Sequence, residues 1–401
     1  MNRIAVLKNV VQEYAWGSET FLPELLGNPP AAGRPQAELW MGVHPNGPSM
    51  AAWESQWIPL SDLIERDPVG ALGKSVAAKF SNNLPFLFKI LAASKPLSIQ
   101  VHPDLEQARQ GFARENERKV QRHSPRRTYQ DPNHKPEILC ALRPFWALKG
   151  FRRVEDILSL VAQIDAPSLE GEMAPLQQNQ DREGLKRFFS ALMTTREKNR
   201  QRLLLEAVRS ISNCAPADPA YAWIIRLYQA FPDDIGVLSP LFMNLINLQP
   251  GEAIYLPPGE LHAYLEGVGI ELMANSDNVL RAGLTTKHMD LPELTRSMNF
   301  VEGKVEILKP RSSDGVEWHY PTPAQEFALS CISLDQGAPY ESPMERSVEI
   351  MICLDGDAQV TDPFHGDEVH MKQGTAIIVP ALVKQYIIHG KATIYKAAVP
   401  R

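Results

Sequence analysis

Residues 85–104 read PFLFKILAASKPLSIQVHPD, and this stretch decides the fold of the chain. It predicts two β-strands, 86–91 and 97–102, joined by a short polar turn. Because successive side chains on a strand point to opposite faces, Gln100 and His102 share one face of the second strand. A glutamine and a histidine spaced in this way form half of a metal site, or a solvated strand face that carries a histidine by chance.

Composition limits the classes of protein that the chain can belong to. Its 401 residues predict two or three domains. A hydrophobic content of 44% and a charged content of 22% are typical of a soluble globular protein. The net charge of −6 argues against general nucleic-acid binding, so an anionic ligand requires a local cluster of lysine and arginine.

Cysteine use and the termini favour a reducing compartment. The N-terminal residues lack the apolar core of a signal peptide, and the chain has no run of 18 apolar residues. We therefore expect a cytoplasmic protein that neither spans a membrane nor contains a disulfide framework or a thiolate zinc site. The four cysteines lie far apart, at Cys140, Cys214, Cys331 and Cys353.

A second polar group lies where a Pro-rich turn leads into an apolar strand. The segment 131–137 reads DPNHKPE and places His134, Lys135 and Glu137 within four positions. Such a group is either the rim of a site or an ordinary charged turn. Glu38 similarly interrupts an apolar strand-like run, which places its carboxylate at a sheet edge or in a polar cavity.

The pattern of apolar residues changes twice along the chain. From about residue 151 to 240, apolar residues recur at helical spacing and strand signals vanish, and β-signals then return. We expect a mainly β protein with an inserted helical domain. The predicted domains are residues 1–150 together with 241–300, the helical insertion 151–240, and a C-terminal domain 301–401.

A short repeat relates two of the β-rich regions. Residues 251–257 read GEAIYLP and residues 374–380 read GTAIIVP, so Gly, Ala, Ile and Pro recur at one offset. The same offset carries His262 onto Gln385. This predicts two copies of one β-module, of which the first alone keeps a metal-binding histidine.

Both copies resemble cupins, which are small β-barrels of jelly-roll type. The second cupin signature has the pattern G-x5-P-x-G-x2-H-x3-N. This chain matches it at four positions and departs at the last, where Glu266 stands in place of Asn. The matching residues are Gly251, Pro257, Gly259 and His262. The C-terminal copy lacks the later glycine and the histidine. The resemblance implies two cupin-like modules, the second degenerate.

Six motifs together are similar to those of one enzyme family, the type I phosphomannose isomerases. Their order, spacing and wording match through essentially the whole chain, most weakly in the helical insertion and the last hundred residues. The motifs are EYAWG (13–17), AELWMG (37–42), FLFKILAASKPLSIQVHPD (86–104), DPNHKPE (131–137), YLPPGELHAYLEG (255–267) and NSDNVLRAGLTTKH (275–288).

The resemblance implies one zinc ion per chain. By motif match, its ligands fall on Gln100, His102, Glu137 and His262. Imidazole nitrogens with carboxylate and amide oxygens suit Zn²⁺, and such a set can leave a coordination position open. Two histidines and a carboxylate also form the facial triad of non-haem iron enzymes, so the ligand types alone do not decide the metal.

The implied reaction interconverts mannose 6-phosphate and fructose 6-phosphate through ring opening and a cis-enediol. Arg281 is expected to polarise the reacting oxygens, and Lys135 or His134 to transfer the proton. Asp277 is expected to assist ring opening together with His134. The phosphate candidates are Lys89, Lys95, Arg281 and Lys287, and the residues expected to line the sugar pocket are Trp16, Glu38 and Glu271.

Three other functions compete with the isomerase. A cupin oxygenase would require iron and molecular oxygen. A sugar-phosphate regulator with a dead site would lack a ligand or Arg281, and a scaffold protein would not require such a concentration of polar groups. We expect the sole partner of the chain to be a sugar phosphate, bound by a monomer.

Overall fold

The structure is a computed structural model, and it describes all residues except 31–32, 123, 125, 215–217, 335–337 and 401. The side chain of Cys214 also lies outside the described part. The expectation that the cysteines form no disulfide framework therefore stays a prediction. No helix in the described part is both long enough and apolar enough to cross a bilayer.

Strands dominate the described part of the chain. They are β1 (Ala5–Lys8), β2 (Val10–Gln12), β3 (Glu38–Met41), β4 (Met50–Trp53), β5 (Gln56–Pro59), β6 (Phe86–Ala93), β7 (Ile99–Val101), β8 (Glu137–Ala141), β9 (Phe145–Phe151), β10 (Met243–Leu248), β11 (Ala253–Leu256), β12 (His262–Ala274), β13 (Leu280–Gly283), β14 (Arg311–Ser312), β15 (Glu317–Tyr320), β16 (Ala328–Ser333), β17 (Tyr340–Glu341), β18 (Glu349–Thr361), β19 (Glu368–Lys372), β20 (Ala376–Val379) and β21 (Ile387–Ala398).

Helices fall mainly between the two β-rich regions, as the sequence pattern predicts. The α-helices are α1 (Phe21–Leu25), α2 (Leu60–Arg66), α3 (Pro68–Leu72), α4 (Lys74–Lys79), α5 (Leu105–Glu117), α6 (Val154–Val161), α7 (Pro167–Gln178), α8 (Arg182–Met193), α9 (Glu197–Cys214), α10 (Pro219–Ala230), α11 (Ser239–Phe242) and α12 (Leu291–Ser297). A single 3₁₀ turn, Ile235–Leu238, precedes α11. The mainly β fold with a helical insertion is confirmed.

The strands form two antiparallel sheets. The first sheet has ten strands, with the path β10-β9-β12-β6-β3-β2 and with β7, β8, β11 and β13 attached at its side. The second has eleven strands, with the path β14-β15-β16-β21-β18-β20-β1-β4-β5 and with β17 and β19 attached. Strands β1, β4 and β5 thus join the early residues to the C-terminal sheet. The predicted domain boundaries themselves stay a prediction.

Strand β6, which belongs to the stretch 85–104, lies at the centre of the first sheet. All eight residues of β6 are buried, and β6 pairs with β3 on one side and β12 on the other. The register places Lys89 opposite Glu271 and next to Trp40. A lysine in such an apolar strand requires a partner, because a buried charge without one is costly.

The helical insertion buries the outer face of β7. Ile99 and Val101 pack in one apolar core with residues of α6 to α10, among them Phe189 and Leu227. Side chains alternate along a strand, so Gln100 points to the opposite face, away from the helices. The helices therefore cover the back of the strand whose front carries the predicted ligands.

The sequence repeat corresponds to a structural repeat. Gly251 and Gly374 both adopt positive φ, 85° and 81°, and each opens the turn into a short strand, β11 or β20. Glycine occupies this left-handed region without steric cost, which explains why it recurs. Each short strand is followed by a long strand, β12 or β21. His262 is the first residue of β12.

Candidate active site

A buried cluster of three metal-ligating side chains lies where β7, β8 and β12 meet. His102, Glu137 and His262 offer ligand atoms that all lie within 4.8 Å of one another. The two Nε2 atoms lie 3.5 Å and 3.4 Å from the Glu137 carboxylate oxygens. The described residues contain this one group of three potential ligands.

Both imidazoles are oriented by backbone carbonyls. Nδ1 of His102 lies 2.7 Å from the carbonyl of Asn278, and Nδ1 of His262 lies 2.9 Å from that of Glu260. Because a carbonyl oxygen only accepts, each Nδ1 carries the proton and each Nε2 presents a lone pair. Both Nε2 atoms are buried and have no hydrogen-bond partner. Orphaned buried acceptors aimed at one carboxylate suit a metal ion.

Electrostatics favour the protonation states that a metal requires. Burial lowers the pKa of His102 to about 4, so its ring is neutral at pH 7. Burial alone would raise the pKa of Glu137, but the positive charge of Lys135 holds it well below its usual range. The Lys135 ammonium lies 3.2 Å from the Glu137 carboxylate.

Gln100 occupies the middle of β7, between two strands of the site. The register pairs it with His262 on β12 and with Arg281 on β13. Its position on the face opposite the helical core is the one that the alternation predicts. As a fourth ligand, Gln100 stays a prediction.

A second buried polar group lies beside this cluster. The Lys89 ammonium lies 2.9 Å from Glu271 and 3.8 Å from Glu38, and all three side chains are less than a tenth exposed. The Trp40 indole donates a 2.7 Å hydrogen bond to Glu38. Burial raises the pKa of Glu38, whereas the two carboxylates raise the pKa of Lys89 against the effect of burial. Lys89 is therefore a neutralised cation.

Arg281 and Lys287 form a different kind of pair. The pKa of Lys287 is lowered first by the nearby Arg281 cation and then by partial desolvation, although the residue is exposed. Burial likewise lowers the pKa of Arg281. Neither residue forms an ion pair with any described residue. Two adjacent cations without a carboxylate indicate an anion site.

Asp277 and His134, which are expected to assist ring opening together, each have another partner, and their joint role stays a prediction. Asp277 does not pair with His134; its Oδ1 lies 3.2 Å from Nε2 of His44. His134 instead places its Nε2 2.8 Å from a carboxylate oxygen of Glu326. Glu326 lies just before β16, so the C-terminal region contributes a side chain to this neighbourhood.

The remaining candidates, Trp16 and Lys95, belong to neither of the two buried polar clusters. Trp16 packs partly buried against the apolar cluster that contains Tyr264, with its ring 5.6 Å from that of Tyr14. Tyr14 has a pKa raised first by burial and then by Glu38 and Asp277, so it faces the site. Lys95 is exposed.

Four residues of this neighbourhood are absent from the set predicted from the sequence: Tyr14, Trp40, His44 and Glu326. Three of these fall inside or directly after the motifs EYAWG and AELWMG, so the motif match was a signal that could have found them. Glu326 is more than a hundred residues from its partner, and no spacing in the chain indicates that contact.

Comparison with known proteins gives the family. Residues 4–154 match the family profile for the catalytic domain of phosphomannose isomerase type I, and residues 160–243 match the one for its helical insertion domain. The chain belongs to the type I phosphomannose isomerases. Mannose-6-phosphate isomerase from Escherichia coli K12 is 40% identical over 380 residues, 94% of each chain. Mannose-6-phosphate isomerase 1 from Arabidopsis thaliana is 34% identical, over 87% of this chain and 81% of its own.

Solved phosphomannose isomerases share the whole fold. A crystal structure of mannose 6-phosphate isomerase from Salmonella typhimurium, bound to fructose 6-phosphate and zinc, superposes with a TM-score of 0.92 at 36% identity. The match covers 99% of this chain and 100% of that one. A second structure, described as a zinc-bound holoenzyme, has the same score, identity and coverage.

Proposed function

We propose that the protein is a zinc-dependent isomerase that interconverts mannose 6-phosphate and fructose 6-phosphate. The observation that carries the proposal is the buried cluster of His102, Glu137 and His262, whose two inward Nε2 atoms have no partner. Membership of the phosphomannose isomerases supports the substrate assignment.

The donor set suits one zinc ion. Two neutral imidazoles and one carboxylate would hold it, with Gln100 as the proposed fourth ligand. When bound, the ion supplies positive charge that stabilises oxygen anions in its vicinity. The same donors would also accept iron, but a cation pair suited to a phosphate favours the sugar-phosphate reaction over the cupin oxygenase.

Arg281 and Lys287 are the proposed phosphate end of the pocket. Lys89 is the weaker candidate, because two carboxylates already neutralise it. Arg281 is partly buried and Lys287 is exposed, and neither has a counter-charge among the described residues, so a phosphate dianion would stabilise both. Arg281 is also the cross-strand neighbour of Gln100, which supports its second role in polarising the reacting oxygens.

Lys135 is the first choice for proton transfer between C2 and C1 of the open-chain sugar. Its Nζ lies 3.2 Å from Glu137, at the wall of the metal cluster, so a substrate bound there would come within reach of it. In this role Nζ must first lose its own ammonium proton. The neutral amine then takes the C2 proton of the aldose and returns a proton to C1 of the enediol. His134, held by Glu326, is the other candidate.

The polar group around Lys89 is the proposed binding surface for the sugar hydroxyls. Glu38 and Glu271 can accept hydrogen bonds, and Lys89 fixes both carboxylates. Trp16 would contribute an apolar surface at the edge of the pocket.

These roles, a monomeric state and a cytoplasmic location are parts of the proposal. Light scattering coupled to gel filtration tests the oligomeric state.

A coupled assay tests the function directly. Conversion of mannose 6-phosphate to fructose 6-phosphate is measured on purified enzyme, after chelation, and after Zn²⁺ is added back. We expect activity to vanish with the metal and to return with zinc. An intact fold without activity in every zinc-loaded sample would overturn the proposal, and iron and oxygen would then be tested.

A further inference from the structure

The loop after β3 places a buried histidine, His44, beside the site. His44 is 4% exposed, and its ring meets the Trp40 indole edge-on at a centroid distance of 4.9 Å. Nδ1 accepts a hydrogen bond from the Asn46 backbone N–H at 3.3 Å, and Nε2 lies 3.2 Å from Oδ1 of Asp277. Because Nδ1 is an acceptor, Nε2 carries the proton of the neutral ring and directs it at Asp277.

Asp277 is held on one side and open on the other. Its backbone N–H donates a 2.7 Å hydrogen bond to Asp131, which fixes the main chain. Its Oδ1 meets His44, whereas its Oδ2 has a single long contact, 3.4 Å to the Asn46 amide. The side chain is 45% exposed, so Oδ2 is available to a ligand.

The Asp277 carboxylate also interacts electrostatically with charged residues of the site. Burial alone would raise its pKa, but His44 lowers it, and the charges of Lys135 and Lys89 lower it further. The negative charge of Asp277 in turn helps to raise the pKa of Tyr14 and of the Asp131 carboxyl group. The carboxylate therefore lies within reach of the cations that line the proposed sugar pocket.

We propose that His44 is a positioning residue that orients Asp277 for opening the sugar ring. This inference rests on the proposed function. Oδ2 of Asp277 takes the proton from the anomeric hydroxyl of mannose 6-phosphate in its ring form. The freed electron pair forms the C1 carbonyl, the C1–O5 bond breaks, and O5 takes a proton from water. The resulting hydroxide recovers the proton from Asp277, which restores the carboxylate.

The two histidine–carboxylate pairs near the site differ in one respect. Both ring nitrogens of His44 are occupied, so it has no nitrogen to offer a substrate. His134 uses only Nε2, toward Glu326, and its Nδ1 has no hydrogen-bond partner among the described residues. His44 thus acts through Asp277, whereas His134 keeps a nitrogen for direct contact with the sugar.

A double-mutant cycle separates positioning from general structural support. The variants are His44→Phe, Asp277→Asn and the two combined, assayed for kcat/KM with mannose 6-phosphate. We expect His44→Phe to cost about 10–100-fold, the range for a residue that orients a functional group. In the Asp277→Asn background, the same substitution should cost almost nothing.

The pH profile and a rescue variant give independent readouts. In His44→Phe the pKa of Asp277 rises, so the acidic limb of kcat/KM should move to higher pH. His44→Gln keeps an N–H donor and should recover part of both losses. The proposal would be overturned if the losses in kcat/KM of the two single substitutions multiply in the double mutant and the acidic limb of the pH profile does not move. Loss of zinc from His44→Phe would also overturn it, in favour of structural support. An inactive zinc-loaded parent enzyme would instead indicate failure of the proposed function.

Discussion

Two buried polar clusters, one in each sheet, differ in how their members are paired. In the eleven-stranded sheet, Lys396 on β21 lies 2.7 Å from Glu317 and 3.4 Å from Glu349. Arg346 lies 3.3 Å from Glu349, so every one of these buried charges has an opposite partner. In the ten-stranded sheet, the nitrogens of His102 and His262 face a carboxylate without a hydrogen bond.

The difference assigns different roles to two regions that share one local sequence pattern. A buried ion pair that is internally satisfied fixes local structure and has little left to offer a ligand. A cluster that leaves acceptors unpaired loses stability when empty and recovers it when it binds a cation. The repeat kept the glycine turn in both modules, whereas the residue at the position of His262 became Gln385.

The largest effect is expected from making the first module resemble the second. His262→Gln removes the imidazole that faces the cluster, and we expect zinc to be lost. The value of kcat/KM should fall by about 10³-fold or more, because a direct ligand contributes more than a residue that only orients a ligand. Metal analysis and the coupled assay measure both. The converse variant, Gln385→His, should gain no zinc, and zinc bound stoichiometrically at that module would contradict the comparison.

The next effect is on stability and lies in the second module. Lys396→Met leaves Glu317 and Glu349 buried without their cation, which should cost about 3–5 kcal/mol of unfolding free energy. Urea denaturation measures the loss. At urea concentrations well below the unfolding midpoint, kcat should stay unchanged. Lys309→Met is the matched control, because Lys309 is 77% exposed and should cost less than about 0.5 kcal/mol.

Arg281→Lys should lower kcat by about 10²–10³-fold, the cost of removing a group that stabilises developing charge. A lysine retains the charge and loses the planar fork of donors. Steady-state kinetics at saturating substrate measure the change. A raised KM with an unaltered kcat would instead assign Arg281 to the phosphate alone.

Lys287→Ala should mainly weaken binding. One charge-assisted contact to a phosphate is worth about 1.5–3 kcal/mol, which corresponds to a rise in KM of about 10–100-fold. Lys95→Ala is the control, since Lys95 is exposed like Lys287 but lies outside the Arg281–Lys287 pair, and the substitution should leave KM within about twofold. Equal effects of the two substitutions would move the phosphate to another part of the pocket.

Part of the site could be predicted from the sequence for a definite reason. Strand alternation places Gln100 and His102 on one face, and the proline-rich turn sets Glu137 at the start of β8. The partners of Asp277 and His134 could not be predicted, because the contacts with His44 and Glu326 depend on how distant loops meet. The neutralisation of Lys89 likewise depends on the register of β6 against β12 and β3.

The smallest effect concerns acid stability of the second module. Burial alone would raise the pKa of Glu317, but Lys396 and hydrogen bonds from Ser330 and Tyr340 lower it below the usual value near 4.5. A carboxylate with a depressed folded-state pKa stabilises the protein above its unfolded pKa, and that contribution is lost as the pH falls further. The stability difference between the parent and Glu317→Gln should therefore shrink between pH 6 and pH 3.5, as urea midpoints can show. A difference independent of pH would contradict the assignment.

One paired measurement tests the central claim most directly. Zinc per chain and isomerase activity are determined together for Glu137→Gln and Glu317→Gln, which make the same chemical change in the two sheets. The account predicts that Glu137→Gln keeps its fold but loses both zinc and activity. Glu317→Gln should keep both and lose only stability. Full zinc and activity in Glu137→Gln, or their loss in a folded Glu317→Gln, would contradict the division between a catalytic and a structural sheet.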